Sequence, residues 1–224
     1  MDAAMIASSY MLKATEAAVV SRVTLRDVNR AIDEGILPDE FFTLDNGRQV
    51  SAVACALISF YFESANRLTS EERLFAIKEA GPRLRKSGAL ASAALLKEDW
   101  IVKHEFLTID LAPFLKRTNE QLDRLEAARA MVTSSPDVLS GTPVIRGTRI
   151  PVYDVAASAA ARMPLERILA AYPNLDARKV ELATIFAEAN PSRGRPRSGR
   201  ALPIGTAIIS DRRVSRRRIG GNGG

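Results

Sequence analysis

Prolines at positions 151, 164 and 173 divide the most strongly patterned stretch of the chain into short helices. Proline has a fixed φ and no amide hydrogen, so it is tolerated where a helix begins and disfavoured inside one. Pro151 suits a first helical position, and Val152, Val155, Ala156 and Ala159 then recur at i, i+3, i+4 and i+7. Pro164 opens a second helix carrying Leu165, Ile168, Leu169 and Tyr172 at the same spacing. Pro173-Asn174 turns the chain. Asp176 is placed to cap a third helix, in which Val180, Ala183 and Ala187 face inward. Three short helices, the last two joined by a tight turn, outline a helix-turn-helix. Ahead of them, Val132–Val138 and Val144–Arg146 read as short strands, broken at Ser140-Gly141 and Gly147.

A second unit of this kind occupies Tyr10 to Val50. Thr15 to Val20 reads as a short helix, and Ser21-Arg22-Val23 as a turn. Thr24 caps the next helix, with Asp27 three residues on to close a capping box. Leu25, Val28 and Ile32 share one face, and Gly35 ends the helix. Asn46-Gly47 between Phe41–Leu44 and Arg48–Val50 predicts a hairpin. Between the two units the signals are plainer. An apolar helix runs from Ala52 to about Ser64, and another from Ser70 to Ala80, stopped by Gly81-Pro82. Trp100 to Ile109 reads as one strand, and Ala112 to Arg129 as a charged amphipathic helix with Leu115, Leu122 and Leu125 inward.

This pattern predicts a mainly α protein with small β elements. Composition agrees, with 46% apolar residues but only 6% aromatic, a mix suited to helices packed through small side chains. No apolar run is long enough to span a membrane, and Met1 to Tyr10 lacks the regions of a signal peptide. Cys55 is the one cysteine, which fits a reducing cytoplasm. His104 is the one histidine and has no second ligand nearby, so no metal site is expected. With no nucleophile elbow and no glycine-rich phosphate loop, the chain assembles no catalytic constellation. The expectation is a non-enzyme without a cofactor.

The charge is unevenly distributed. Nine arginines (193, 195, 197, 200, 212, 213, 216, 217, 218) against one acid, Asp211, lie in residues 190–224. The preceding residues hold 23 Lys and Arg against 25 Asp and Glu. A near-neutral body with a basic, Gly/Pro/Ser-rich extension predicts a disordered tail that seeks an acidic partner. Two apolar patches within it, Leu202-Pro203-Ile204 and Ala207-Ile208-Ile209, favour docking on a protein.

Arginine and asparagine read base edges in the major groove, and a basic hairpin tip grips phosphate or the minor groove. Arg22, Arg26, Asn29, Arg30 and Arg48 are therefore the DNA-contact candidates of the first unit, with Asp33 and Glu34 counting against them through repulsion of phosphate. The bland alternative is a packing unit with a solvated polar face. Ala14–Ala17 and Ile32-Asp33-Glu34-Gly35-Ile36-Leu37-Pro38 resemble the winged helix-turn-helix of the MerR group.

In the later unit Arg178 and Lys179 occupy the first turn of the last helix, where a recognition helix meets DNA. Arg146 and Arg149 flank Gly147. They either hold phosphate or brace the turn against Asp137, Asp154 or another acid. Residues Gly141-Thr142-Pro143-Val144-Ile145-Arg146-Gly147-Thr148-Arg149-Ile150-Pro151-Val152 and Pro164–Leu175 resemble a bacterial antitoxin family first catalogued as a domain of unknown function. That resemblance implies a homeodomain-like helix-turn-helix partnered with a PIN-like ribonuclease toxin. The order of the two units resembles the longer antitoxins of the VapB type.

The tail has two competing readings. Arg193-Gly194-Arg195-Pro196-Arg197 matches the core of an AT-hook, which lies in the narrow minor groove of A·T-rich DNA. The antitoxin resemblance implies instead that tail arginines fork onto the carboxylates of a toxin active site. The toxin-contact candidates are then Arg193, Arg195, Arg197, Arg200, Leu202, Ile204, Ile208, Ile209, Arg212 and Arg213.

The resulting expectation has four parts. Residues 1–50 form a winged helix-turn-helix-like unit, 51–130 a helical and strand spacer, 131–189 a helix-turn-helix antitoxin domain, and 190–224 an arginine-rich flexible tail. The expected function is a cytoplasmic, homodimeric antitoxin that neutralises a PIN-like ribonuclease and represses its own operon at operator DNA. The alternative is a plain helix-turn-helix transcription factor with an AT-hook-like tail and no toxin.

Overall fold

A computed structural model describes residues 10–87 and 99–192. The tail candidates at Arg193, Arg195, Arg197, Arg200, Leu202, Ile204, Ile208, Ile209, Arg212 and Arg213 lie outside the described residues. The fold is mainly helical with small antiparallel sheets.

The first unit begins with β1 (Met11–Lys13), α1 (Ala14–Ser21) and α2 (Leu25–Asp33), followed by β2 (Phe42–Thr43) and β3 (Gln49–Ser51). The expected capping box forms: Asp27 Oδ2 accepts from the Thr24 amide at 3.1 Å and from its hydroxyl at 2.6 Å, while the Asp27 amide donates to Thr24 Oγ1 at 3.2 Å. Gly35 follows α2 at φ +65°, a value that favours glycine. The hairpin forms with Phe42 opposite Val50 and Thr43 opposite Gln49. The sequence reading did not anticipate β1, which pairs antiparallel on the other side of β3 and buries Leu12 beside Val50. Leu25 does not share the buried face of Val28 and Ile32; it is exposed.

The middle of the chain departs from expectation twice. After α3 (Cys55–Glu63), α4 runs from Ser70 to Ser87, straight through Gly81-Pro82. An interior proline removes one hydrogen bond and crowds the preceding turn. The next turn compensates: Leu84 is buried and the Arg83 guanidinium lies 4.5 Å from the Trp100 ring centroid. Gly81 lies against Phe41, where a Cβ would stand at ordinary van der Waals contact, 3.5 Å from that ring.

The second departure is that Trp100–Ile109 is a hairpin rather than one strand. β4 (Ile101–His104) and β5 (Leu107–Asp110) pair in register Val102↔Ile109, so both apolar residues reach the core from one face. Glu105 turns the chain at φ +50°.

Then α5 (Ala112–Met131) buries Leu115, Leu122 and Leu125 as expected. The strand expected over Val132–Val138 is only β6 (Val132–Thr133), paired with β7 (Val144–Ile145). Pro136 has no amide to continue the ladder. Three helices close the described chain: α6 (Val152–Ala160), α7 (Leu165–Ala171) and α8 (Ala177–Ala189). Pro151 and Pro164 stand one residue before α6 and α7. Asp176 caps α8 by accepting from the Lys179 amide at 2.8 Å. Leu165, expected to face inward, is exposed.

Two apolar clusters result. The larger takes in Leu12, Val28, Phe41, Ile58, Trp100 and Leu125, together with Ala189 at the end of α8. The smaller gathers Ile145, Val152, Val155, Ile168, Leu175, Val180 and Ala183. Helix α8 contributes to both and packs on α6, α5 and α1.

Candidate nucleic-acid interface

The turn between α1 and α2 is built on Arg22, whose φ of +57° ends α1 in the left-handed conformation. The Val23 amide then reaches back to the Ala18 carbonyl at 3.0 Å, which directs α2 across α1. Arg22 and Arg26 are exposed, and among the described residues no side chain pairs with either.

The other three candidates of this unit are engaged with each other and with acids. Arg30 makes a two-pronged contact with Glu34, Nε to Oε1 at 2.8 Å and Nη2 to Oε2 at 3.0 Å, and its guanidinium lies 5.7 Å from the Phe62 ring centroid. Arg30 holds the Glu34 carboxyl below the usual carboxylate range, and Glu34 raises the Arg30 guanidinium. Arg48, next to the hairpin tip, donates to both Asp33 oxygens at 2.8 and 2.9 Å and to Asn29 Oδ1 at 3.3 Å. The hairpin is thereby fastened to the outer face of α2. All four charged partners are substantially exposed. Pairs of that kind contribute little to stability.

In the later unit, Arg146 and Arg149 are exposed on the turn between β7 and α6. Gly147 sits there at φ +76°, and the Thr148 hydroxyl closes the turn by donating to the Ile145 carbonyl at 2.8 Å. Neither arginine pairs with Asp137 or Asp154 in the described residues, and the turn is closed by Thr148. Arg178 is exposed and unpaired among the described residues. Lys179 instead folds back, with Nζ 3.2 Å from the Asn174 carbonyl and 3.6 Å from Asp176.

Sequence reasoning missed the polar contacts that join the elements. Glu16 is buried in α1, forms an ion pair with Arg129 of α5 at 2.9 Å and accepts from the Lys13 amide at 2.8 Å. Burial pushes its carboxyl up, opposed by the Lys13 amide. Arg129 also meets Glu126 at 2.8 Å and lies over Tyr10. Thr15 Oγ1 donates to the Ala189 carbonyl at 2.6 Å, and Tyr153 Oη to the Asn190 carbonyl at 2.7 Å, locking the end of α8 in place. A lone glutamate inside the apolar run Ala14–Val20 was the available signal for Glu16.

Among the described residues no group of three or more His, Cys, Asp or Glu side chains is placed to hold a metal ion. His104 stacks on Phe75, with ring centroids 4.0 Å apart. No helix of the described residues is long and apolar enough to cross a membrane.

Over 218 residues the chain is 66% identical to the "Uncharacterized protein y4eO" of Sinorhizobium fredii (strain NBRC 101917 / NGR234), an alignment covering 97% of this chain and 99% of the relative. The chain belongs to the y4eO family. Within it, residues 132–187 match the family described as "Protein of unknown function (DUF433)". In this y4eO-family chain the matched segment runs from β6 to within two residues of the end of α8. No solved structure matches the chain.

Proposed function

We propose that the chain is the antitoxin of a toxin–antitoxin pair, of the VapB type, with a MerR-like first unit. It binds and neutralises a PIN-like ribonuclease and binds the promoter of its own operon as a repressor. The observation that carries this reading is positional. The DUF433 match at 132–187 takes in both motif runs, Gly141–Val152 and Pro164–Leu175, on which the resemblance to the antitoxin family rests. The DNA-binding half is supported by the first unit, where a capped α2 follows a tight turn and Arg22 and Arg26 stand free of acidic partners in the described residues. The neutralising half is supported by charge. The nine arginines beyond Asn190 suit a partner whose active site is a cluster of carboxylates, onto which guanidinium forks.

The test is coexpression with the product of the adjacent gene. The full chain rescues growth from that product, whereas a chain ending at Ala189 folds but loses most of the rescue. Equal protection by the shortened chain removes the tail from the neutralising role, and an adjacent product without toxicity overturns the antitoxin reading. The latter outcome favours the second reading, a transcription factor without a toxin, for which the Arg-Gly-Arg-Pro core at 193–196 speaks.

A further inference from the structure

We infer that α8, although it stands in the recognition-helix position of the later unit, is a strut that enters no DNA groove, so that reading of a groove by a helix falls to the first unit. This rests on the DNA-binding part of the reading above.

A recognition helix needs one protruding face with donors or cations on it. The major groove is about 12 Å wide and admits a single helix of about 10–12 Å diameter. Helix α8 has no such face. On one side Val180 and Ala183 are buried in the smaller apolar cluster, and Phe186 packs on Tyr153 of α6 with ring centroids 6.2 Å apart. On a second side it lies along α5, tied by Glu181 to Arg124 at 3.3 Å. At its end Ala189 is fully buried and held by Thr15 of α1.

What remains outward is Arg178, Glu181 and Glu188, and these residues are recessed. Arg178 and Glu181 line a cleft with Asp123 and Ala127 of α5. Glu188 lines another with Gln121 of α5 and with Arg22 of the α1–α2 turn. Two helices packed 8–10 Å apart present a front of about 20 Å, too wide for the groove.

Helix α2 differs in that Arg26 is exposed with no acidic partner among the described residues, and its acids Asp33 and Glu34 are matched by Arg48 and Arg30.

The experiment uses the full chain and two labelled duplexes: the sequence directly upstream of its own gene, and a scrambled version. Fluorescence anisotropy over a salt series yields affinity, salt slope and the ratio between the duplexes. The ratio matters because nine tail arginines attract any polyanion. Arg22→Ala/Arg26→Ala is expected to weaken upstream binding about tenfold and to flatten the log–log salt slope by about 1–2, each phosphate contact contributing about 0.9. Arg178→Ala/Lys179→Ala and Glu181→Gln are expected to stay within twofold with unchanged slope.

Circular dichroism confirms that every variant is folded. A tenfold loss in Arg178→Ala/Lys179→Ala, a tighter complex with Glu181→Gln, or unaffected binding in Arg22→Ala/Arg26→Ala overturns the inference. A ratio of one for the unaltered chain is a separate result, because it removes operator recognition itself.

Discussion

Replacing Ile168 by alanine tests whether the two apolar clusters unfold as one. Ile168 is 1% exposed in the middle of α7 and packs with Val152, Val155, Leu175, Val180 and Ala183. Ile→Ala deletes three carbons, at about 0.8 kcal/mol each, so the transfer term alone is about 2.4 kcal/mol. The void left among short, stiff Val and Ala side chains closes poorly, and the total comes to about 3 kcal/mol, inside the usual range for such changes. Helix α8 is shared: Val180 and Ala183 belong to the smaller cluster, Ile185 and Ala189 to the larger.

Melting the smaller cluster therefore withdraws α8 from α5 and α1. The reporter is at hand, because Trp100 is the one tryptophan and lies buried in the larger cluster. Urea unfolding followed by far-ultraviolet circular dichroism sees helices of both clusters, while tryptophan fluorescence sees the larger one alone. The expected result is a single transition, moved down by about 1–2 M urea in both signals. A fluorescence midpoint that stays put while the dichroism curve splits would show that α8 does not couple the clusters. A loss under about 1 kcal/mol would refute the packing assigned to Ile168.

Two further outcomes are expected. Cys55 is fully buried in α3, and burial pushes its thiol up to about 12, so a disulfide reagent at pH 8 leaves the native chain unlabelled and labels one thiol per chain in denaturant; rapid native labelling would mean that α3 opens. At the start of α4, Glu72 accepts from the Thr69 amide at 2.7 Å and from its hydroxyl at 2.9 Å, and these bonds hold its carboxyl below the usual range. A lowered folded value means that the stabilisation is present at neutral pH and lost as pH falls through the carboxylate range. The stability difference between the unaltered chain and Glu72→Gln, read from urea curves at pH 7 and near pH 4, should narrow on acidification, and a difference independent of pH would refute the charge-dependent cap.

The features that the amino-acid sequence displayed most clearly are those decided within one turn of chain. The Thr24–Asp27 box, the Asp176 cap and the Asn46-Gly47 hairpin all depend on residues three or four apart. The reading failed where distant packing overrides a local rule. Pro82 is a strong stop signal, yet α4 continues because Leu84 and Arg83 beyond it find the core and the Trp100 ring. The β4–β5 turn carries no glycine or asparagine, and Glu105 adopts φ +50° so that Val102 and Ile109 reach one face. Strand β1 has three residues, too few to show an alternation, and its existence depends on β3 some forty residues later.

The candidate interface was legible as a set of residue types and illegible as a set of charges. Arg22, Arg26, Arg30 and Arg48 look alike in the sequence, and only one of their pairings, Arg30 with Glu34 at i and i+4, is local enough to foresee. The contact of Arg48 with Asp33 depends on the hairpin folding back across α2. That contact changes the argument about the two acids. As free carboxylates beside a recognition helix, Asp33 and Glu34 would repel phosphate. Matched as they are, they neutralise Arg48 and Arg30, and Arg22 and Arg26 are left as the unmatched arginines of the first unit in the described residues. The same reasoning applied to α8 pairs Glu181 with Arg124 and Lys179 with Asp176, and leaves Arg178 and Glu188 unmatched in the described residues. In both units the charge left outward is thus set by which acids and bases the neighbours supply rather than by the number of arginines each contains.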